Sequence, residues 1–159
     1  MTGGNAAARA LMTGWGINAI YQYFSGNPLW ITQAADGENN GNQNERPDVV
    51  SGQPLTLKHR TLIEWFNTSA FAEADGHYGS TPRDPISGVA NNPLTLSVKR
   101  IFALPFEHQY LDFRVEAFNA LNHPQFSSPG TVQGSGNFGQ ITSTSSDNRD
   151  LQLALKYVF

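Results

Sequence analysis

Residues 149–159 read Arg-Asp-Leu-Gln-Leu-Ala-Leu-Lys-Tyr-Val-Phe (RDLQLALKYVF) and run to the last residue of the sequence. Leu151, Leu153, Leu155, Tyr157 and Phe159 share one parity; Gln152, Ala154, Lys156 and Val158 share the other. Alternation at a period of two predicts a β-strand, because successive side chains leave a pleated backbone on opposite sides. Last residues usually fray, yet this end is the most regular apolar face of the chain. Such a strand suits a boundary with lipid on one side and a polar lumen on the other, with Tyr157 and Phe159 at interface depth. It also suits the closing strand of a soluble sandwich whose core takes the leucines. One strand does not decide between them.

Working outward, Tyr110–Phe118 (YLDFRVEAF) alternates most sharply. Leu111, Phe113, Val115 and Ala117 fall on one face, and Asp112, Arg114 and Glu116 on the other. Three ionisable groups opposite four apolar ones form a strong binary pattern, and the three are expected to make a salt-linked patch facing a wet lumen. Pro93–Phe102 (PLTLSVKRIF) repeats the alternation, and Ala103–His108, with Pro105, is short enough to be a hairpin turn. Nearer the start, Leu11–Phe24 (LMTGWGINAIYQYF) puts Trp15, Ile17, Ala19, Tyr21 and Tyr23 on one side. Ser25-Gly26-Asn27-Pro28 reads as a turn, with Leu29–Thr32 as the returning strand of a second hairpin.

Between these strands lie two long polar stretches. Gln33–Asn92 contains DGENNGNQN at 36–44 and many Gly and Pro residues, with Thr61–Phe66 (TLIEWF) as its one compact apolar patch, fit for a short helix or a pinned loop. Asn119–Asn148 holds Gly134-Ser135-Gly136 and TSTSS at 142–146. Sixty residues with so little regular pattern sit poorly in a small compact domain but well outside the rim of a barrel. The expected order is strand, short turn, strand, long loop, strand, short turn, strand, long loop, strand. The fold class is therefore all-β: the C-terminal portion, about five antiparallel strands, of a transmembrane β-barrel with two long extracellular loops. A bacterial barrel takes an even number of strands, about eight or more, so the chain is incomplete as a barrel on its own. Residues 1–10 are expected to be a disordered or incomplete N-terminal edge, and 11–159 the barrel segment.

The totals agree with this reading. No apolar run is long enough for a membrane-spanning helix, and the mean hydropathy of −0.38 does not oppose a barrel, which spreads its apolar residues along alternating strands. The formal net charge is −3, and Lys99-Arg100 is the only adjacent basic pair, so no nucleic-acid partner is expected. There is no cysteine, hence no disulfide or thiolate chemistry. The opening residues lack the pattern of a secretory leader.

The candidates for chemistry all have plainer explanations. His59, His77, His108 and His123 lack ligand spacing. Asp36, Glu38 and Asp48 are too irregular for an EF-hand loop, although acidic outer loops can bind calcium weakly. Asp112 and Glu116 are separated on their face by Arg114, which favours an ion-paired patch over paired catalytic carboxylates. Trp15, Tyr21, Tyr23, Trp30 and Tyr157 read as an interfacial aromatic girdle rather than a sugar-stacking row. Neither catalysis nor a cofactor is expected.

Several motifs taken together resemble the C-terminal barrel of TonB-dependent outer-membrane transporters, in particular the Oar-like group with a carboxypeptidase-regulatory-like domain. Gly14-Trp15 with Tyr23-Phe24-Ser25-Gly26-Asn27-Pro28-Leu29 resembles that group's strand, SGxP turn and strand. Glu45-Arg46-Pro47-Asp48 resembles its RPN-like loop segment, and Trp65–Phe71 (WFNTSAF) its WFNPxAF motif, with Thr68 in place of Pro. Tyr78-Gly79-Ser80 is similar to its FGN element, and Leu94–Phe102 to its LSLSKxF run. The most specific is Phe113–Phe126 (FRVEAFNALNHPQF), close to FRAEFFNxFNHPNF, followed by Asn137–Thr142 (NFGQIT) and the final KYVF. Arg83–Gly88 departs from the group's RNxLRGPG-like segment.

The resemblance implies import of an unidentified large or scarce substrate. It implies as partners outer-membrane lipid, the remainder of the barrel with its plug, and the barrel assembly machinery. The TonB complex is reached only through an N-terminal part outside these residues. Leu155, Tyr157 and Phe159 would form the C-terminal signal read by that machinery. Ser25–Pro28 and Ala103–His108 are expected at periplasmic turns, beside the chain end. The alternative from another class is a soluble carbohydrate-binding sandwich displaying Trp15, Trp30 and Trp65, with two sheets about 10 Å apart.

Overall fold

A computed structural model describes residues 12–42 and 44–159; the expectation for residues 1–10 lies outside these. The strands are β1 (Trp15–Tyr21), β2 (Pro28–Leu29), β3 (Thr32–Gln33), β4 (Asp48–Val49), β5 (Phe71–Ala72), β6 (Ile86–Ser87), β7 (Leu94–Ala103), β8 (Tyr110–Phe118), β9 (Val132–Gln133) and β10 (Asp150–Val158). The chain divides into two compact units: Met1–Tyr23 with Asn92–Pro124 and Asp147–Phe159, and Phe24–Asn91 with Gln125–Ser146.

The first unit is one antiparallel sheet in the order β1-β7-β8-β10. Its three longest strands have 10, 9 and 9 residues, close to the roughly 9–11 that a tilted strand needs to cross a bilayer. β7 and β8 form the expected hairpin. Its turn runs through residues 104–109, closed by Leu104 N–H donating to the Gln109 carbonyl at 3.1 Å, with His108 left-handed at φ 61°.

The expected N-terminal hairpin does not form. β1 pairs with β7, Trp15 opposite Arg100 and Tyr21 opposite Leu94, while Pro28-Leu29 pairs with Ile86-Ser87 instead. The Ser25–Pro28 turn is real, but it belongs to the second unit. Among the described residues four strands therefore share the sheet, where about five were expected. By register, Tyr21, Leu94, Phe118 and Asp150 stand at one end of the sheet, so both long connections leave from that end. Ser25–Pro28 thus follows the long-loop end rather than the end holding the 104–109 turn and Phe159. The expected placement of Ser25–Pro28 at a turn beside the chain end is corrected accordingly.

The second unit overturns the expectation of two structureless loops. Leu29, Ile31, Phe66, Ala70, Phe71 and Ile86 form a buried cluster, with Leu55, Trp65 and Phe138 packed against it. Phe66, fully buried, meets Phe71 and Phe138 edge-to-face at centroid distances of 5.8 and 5.1 Å; such pairs add about 0.5–1.5 kcal/mol each beyond area burial. Thr61–Phe66 is a pinned loop, and the helical turn falls later, at Thr68–Ala70. The two long connections are joined by parallel pairing of β3 with β9 and by Trp65 N–H donating to the Gly139 carbonyl at 2.8 Å. Segments cross closely: a Cβ at Gly79 would lie 1.8 Å from the Arg46 carbonyl oxygen, an approach only glycine permits.

Candidate functional site

The functional geometry of the sheet lies in the contrast between its faces. Directly paired residues point to the same side, so the register extends the sequence parity across all four strands. One face carries the rows Ala19–Leu96–Ala117–Leu151, Ile17–Val98–Val115–Leu153 and Phe102–Leu111–Tyr157. This surface is contiguous, apolar and uncovered: Leu153 in mid-strand is 73% exposed. A soluble sandwich would bury these leucines, yet every residue of the buried apolar cluster lies in the other unit. An apolar face of this extent marks a surface built to contact another apolar phase.

The opposite face carries Asn18–Ser97–Glu116–Gln152, Gly16–Lys99–Arg114–Ala154 and Ile101–Asp112–Lys156. Arg114 reaches Glu116 at 3.8 Å. Asp112 stays out of that pair; its Oδ1 is buried without a hydrogen-bond partner, and it stands opposite Lys156 in register. The structure thus puts Asp112, Arg114 and Glu116 on one face and ion-pairs two of them. Gly16 leaves room for Lys99, whose Cγ and Cε would each be 3.2 Å from a Cβ there. Gly16, Asn18, Ser97, Lys99, Arg114 and Glu116 help to line a shallow trough of about 450 Å³ on this face.

Arg100 was not anticipated. It sits on the apolar face, only 6% exposed, with its guanidinium 5.1 Å from the Trp15 ring centroid and 4.5 Å from that of Phe102. A delocalised guanidinium over aromatic faces is the least costly cation to place on such a surface. The signal was present in the sequence: an adjacent basic pair in a strand must put one member on each face.

Leu155 and Tyr157 lie exposed on the apolar face of β10, and Phe159, 89% exposed, follows the strand end. The Tyr157 hydroxyl donates to Gln109 Oε1 at 2.6 Å, tying β10 to the β7–β8 turn, and the Tyr157 ring centroid is 5.6 Å from that of Phe159. Trp15, Tyr21 and Tyr157 stand near the two ends of the sheet. Trp30, expected with them, belongs to the second unit, where Arg83 stacks on it at 5.1 Å.

The FRVEAFNALNHPQF motif builds the connection at the C-terminal end of β8. Asn119, left-handed at φ 48°, accepts from His123 N–H at 3.0 Å and donates to the His123 carbonyl at 2.9 Å. Asn122 Oδ1 accepts from Arg149 N–H at 3.1 Å, beside the start of β10. The motif's asparagines are structural.

In the second unit, His77 Nε2 lies 2.6 Å from Asp48 Oδ2 and its Nδ1 lies 2.8 Å from the Asp75 carbonyl. Both partners are acceptors, which calls for the doubly protonated ring. The hydrogen bond to Asp48 raises the His77 pKa above its ordinary 6.5. The Ser80 N–H, with His77, lowers that of Asp48. Among the described residues no group of three or more His, Cys, Asp or Glu side chains is placed to hold a metal ion. No helix among them is long and apolar enough to cross a membrane.

A strand-built wall with one apolar and one charged face is what an outer-membrane barrel requires. Residues 1–152 match the model of a family described as an outer membrane beta barrel domain, and the chain belongs to that family. Its location is therefore the outer membrane. Searches of curated proteins and of solved structures found no match.

Proposed function

We propose that the chain supplies wall strands and outer loops of a TonB-dependent transporter of the Oar-like group, importing a substrate whose identity its residues do not encode in any motif. The observation that carries the barrel part of this reading is the sheet's pair of opposed faces, apolar Leu111–Phe113–Val115 behind charged Asp112–Arg114–Glu116 on one strand. The apolar face meets lipid. The charged face lines the lumen, where high dielectric and the Arg114–Glu116 pair keep its ions solvated. The TonB assignment rests on the ordered motif series from Gly14-Trp15 to the final KYVF. Both long connections leaving one end of the sheet support the orientation: the second unit outside the cell, the 104–109 turn and Phe159 in the periplasm.

These 159 residues contain no cysteine, so labelling is read against the parent protein carrying neither substitution. Single variants S51C, in the second unit, and E107C, in the hairpin turn, both exposed, are treated on intact cells with a membrane-impermeant maleimide. S51C is labelled and E107C is protected; the reverse pattern overturns the orientation. For energy coupling, a strain lacking both this protein and TonB grows no worse than one lacking TonB alone. An additive defect overturns the TonB assignment and leaves the barrel intact.

A further inference from the structure

We propose that the second unit binds an acidic sugar, a pyranose ring carrying one carboxylate, in the concavity formed by Trp30, Arg46, Pro82, Arg83 and Asp84. The concavity measures about 280 Å³, with Ile31 also in its lining, and all of these residues belong to the one unit. Pockets for drug-sized ligands span roughly 300–1,000 Å³, so this one suits a single ring. Ile31 is buried at 1% exposure, while Trp30 next to it keeps 45% of its surface open. An exposed indole beside an apolar residue offers a platform for the C–H face of a sugar ring.

Two guanidinium groups border that platform. The Arg83 guanidinium lies over the Trp30 ring, 5.1 Å from its centroid. Stacking engages the face of a guanidinium and leaves its in-plane N–H groups free to donate. Among the described residues Arg83 has no hydrogen bond or ion pair. Arg46 is anchored instead: its Nη1 donates to the Thr81 carbonyl at 2.9 Å. Thr81 is fully buried, and its hydroxyl donates to the Pro47 carbonyl at 2.6 Å. One donor of Arg46 therefore fixes the side chain, and the others remain for a ligand. Two such forks on one small space fit a planar carboxylate.

Asp84, left-handed at φ 51°, narrows the class further. An ionised carboxylate only accepts hydrogen bonds, so it calls for hydroxyl donors on the ligand and opposes a doubly charged anion such as phosphate. Trp30 and Arg46 also border a neighbouring concavity, whose wall holds Glu38 and Glu45; a carboxylate is thereby directed to the Arg83 side. A hexuronate, with one carboxylate, adjacent hydroxyls and an apolar face, meets all of these demands. Its role as cargo rests on the transport reading above; its binding does not.

The test is equilibrium dialysis of the full chain in non-ionic detergent micelles against trigalacturonate, neutral galactotriose and inorganic phosphate. Trigalacturonate binds, and galactotriose binds at least tenfold more weakly. R83Q, R46Q and W30A each weaken trigalacturonate binding at least tenfold. R60Q removes the same charge from the same unit, from an arginine that also stacks on a tryptophan, Trp65, at 5.1 Å; it binds as the parent does. Should R46Q or W30A fail to fold, as judged by protease pattern, R83Q on the exposed surface decides. The site is overturned by absent binding, by galactotriose binding equally well, by phosphate displacing trigalacturonate as readily as galacturonate does, or by R60Q matching R83Q. None of these outcomes alters the maleimide pattern or the TonB double-deletion result, so the site can fail while the transport reading stands.

Discussion

Replacing Leu153 with Arg tests the lipid-facing assignment by magnitude rather than by direction alone. Leu153 is near the middle of β10, opposite Val115, and is 73% exposed in the chain itself. If that exposed surface faced water, Leu153→Arg would be an ordinary surface change, within about 0.5 kcal/mol. If it faces hydrocarbon at mid-bilayer, the cost is about 2–4 kcal/mol, a factor of about 30 to 900 in the folded-to-unfolded ratio. The neighbouring Ala154→Arg places the same charge on the opposite, charged face beside Arg114 and is expected to cost under about 1 kcal/mol, the scale of a solvated like-charge contact. Denaturant unfolding of the full chain in lipid vesicles, followed by tryptophan emission, measures both. Equal costs for the two variants, or a Leu153→Arg cost under about 0.5 kcal/mol, would refute the lipid assignment.

Phe159 is expected to matter more for assembly than for stability. Its deletion removes at most about 1.5–3 kcal/mol of apolar burial, so barrels that form melt almost normally, while outer-membrane yield, read as heat-modifiable gel mobility, falls; an unchanged folded yield sinks the assembly role. The Asp48–His77 pair gives the second unit a pH window. The His77 contribution, from a raised folded pKa, is fully present below 6.5 and is lost as pH rises through the folded value. That of Asp48, from a depressed one, is present above 3.8 and lost as pH falls through its folded value. Protease resistance of residues 24–91 is therefore expected to weaken towards alkaline pH. The Asp48→Asn variant should remove that dependence and return the His77 ring titration, followed by NMR, towards 6.5; an unshifted titration refutes the pairing.

Alternation is a local property, since a side chain's face in a strand depends only on its parity. For that reason Arg149–Phe159 and Tyr110–Phe118 were legible as strands with one apolar and one polar face, while the barrel class needed the order of short and long connections as well. Local pattern carries no address for a partner. Ser25-Gly26-Asn27-Pro28 turns the chain equally well whether Leu29 returns to β1 or pairs with Ile86, and only the folded chain decides for Ile86 while giving β1 to β7. The same holds for the loops. Phe66, Phe71 and Phe138 are too sparse in sequence to suggest a core, and become one when β3 and β9 bring the two connections side by side. Glu45 reads as one more polar loop residue until Gln33, itself fully buried, donates to its Oε2 at 3.4 Å and the fold leaves it only 7% exposed. Burial is a property of the whole fold, and no local pattern announces it.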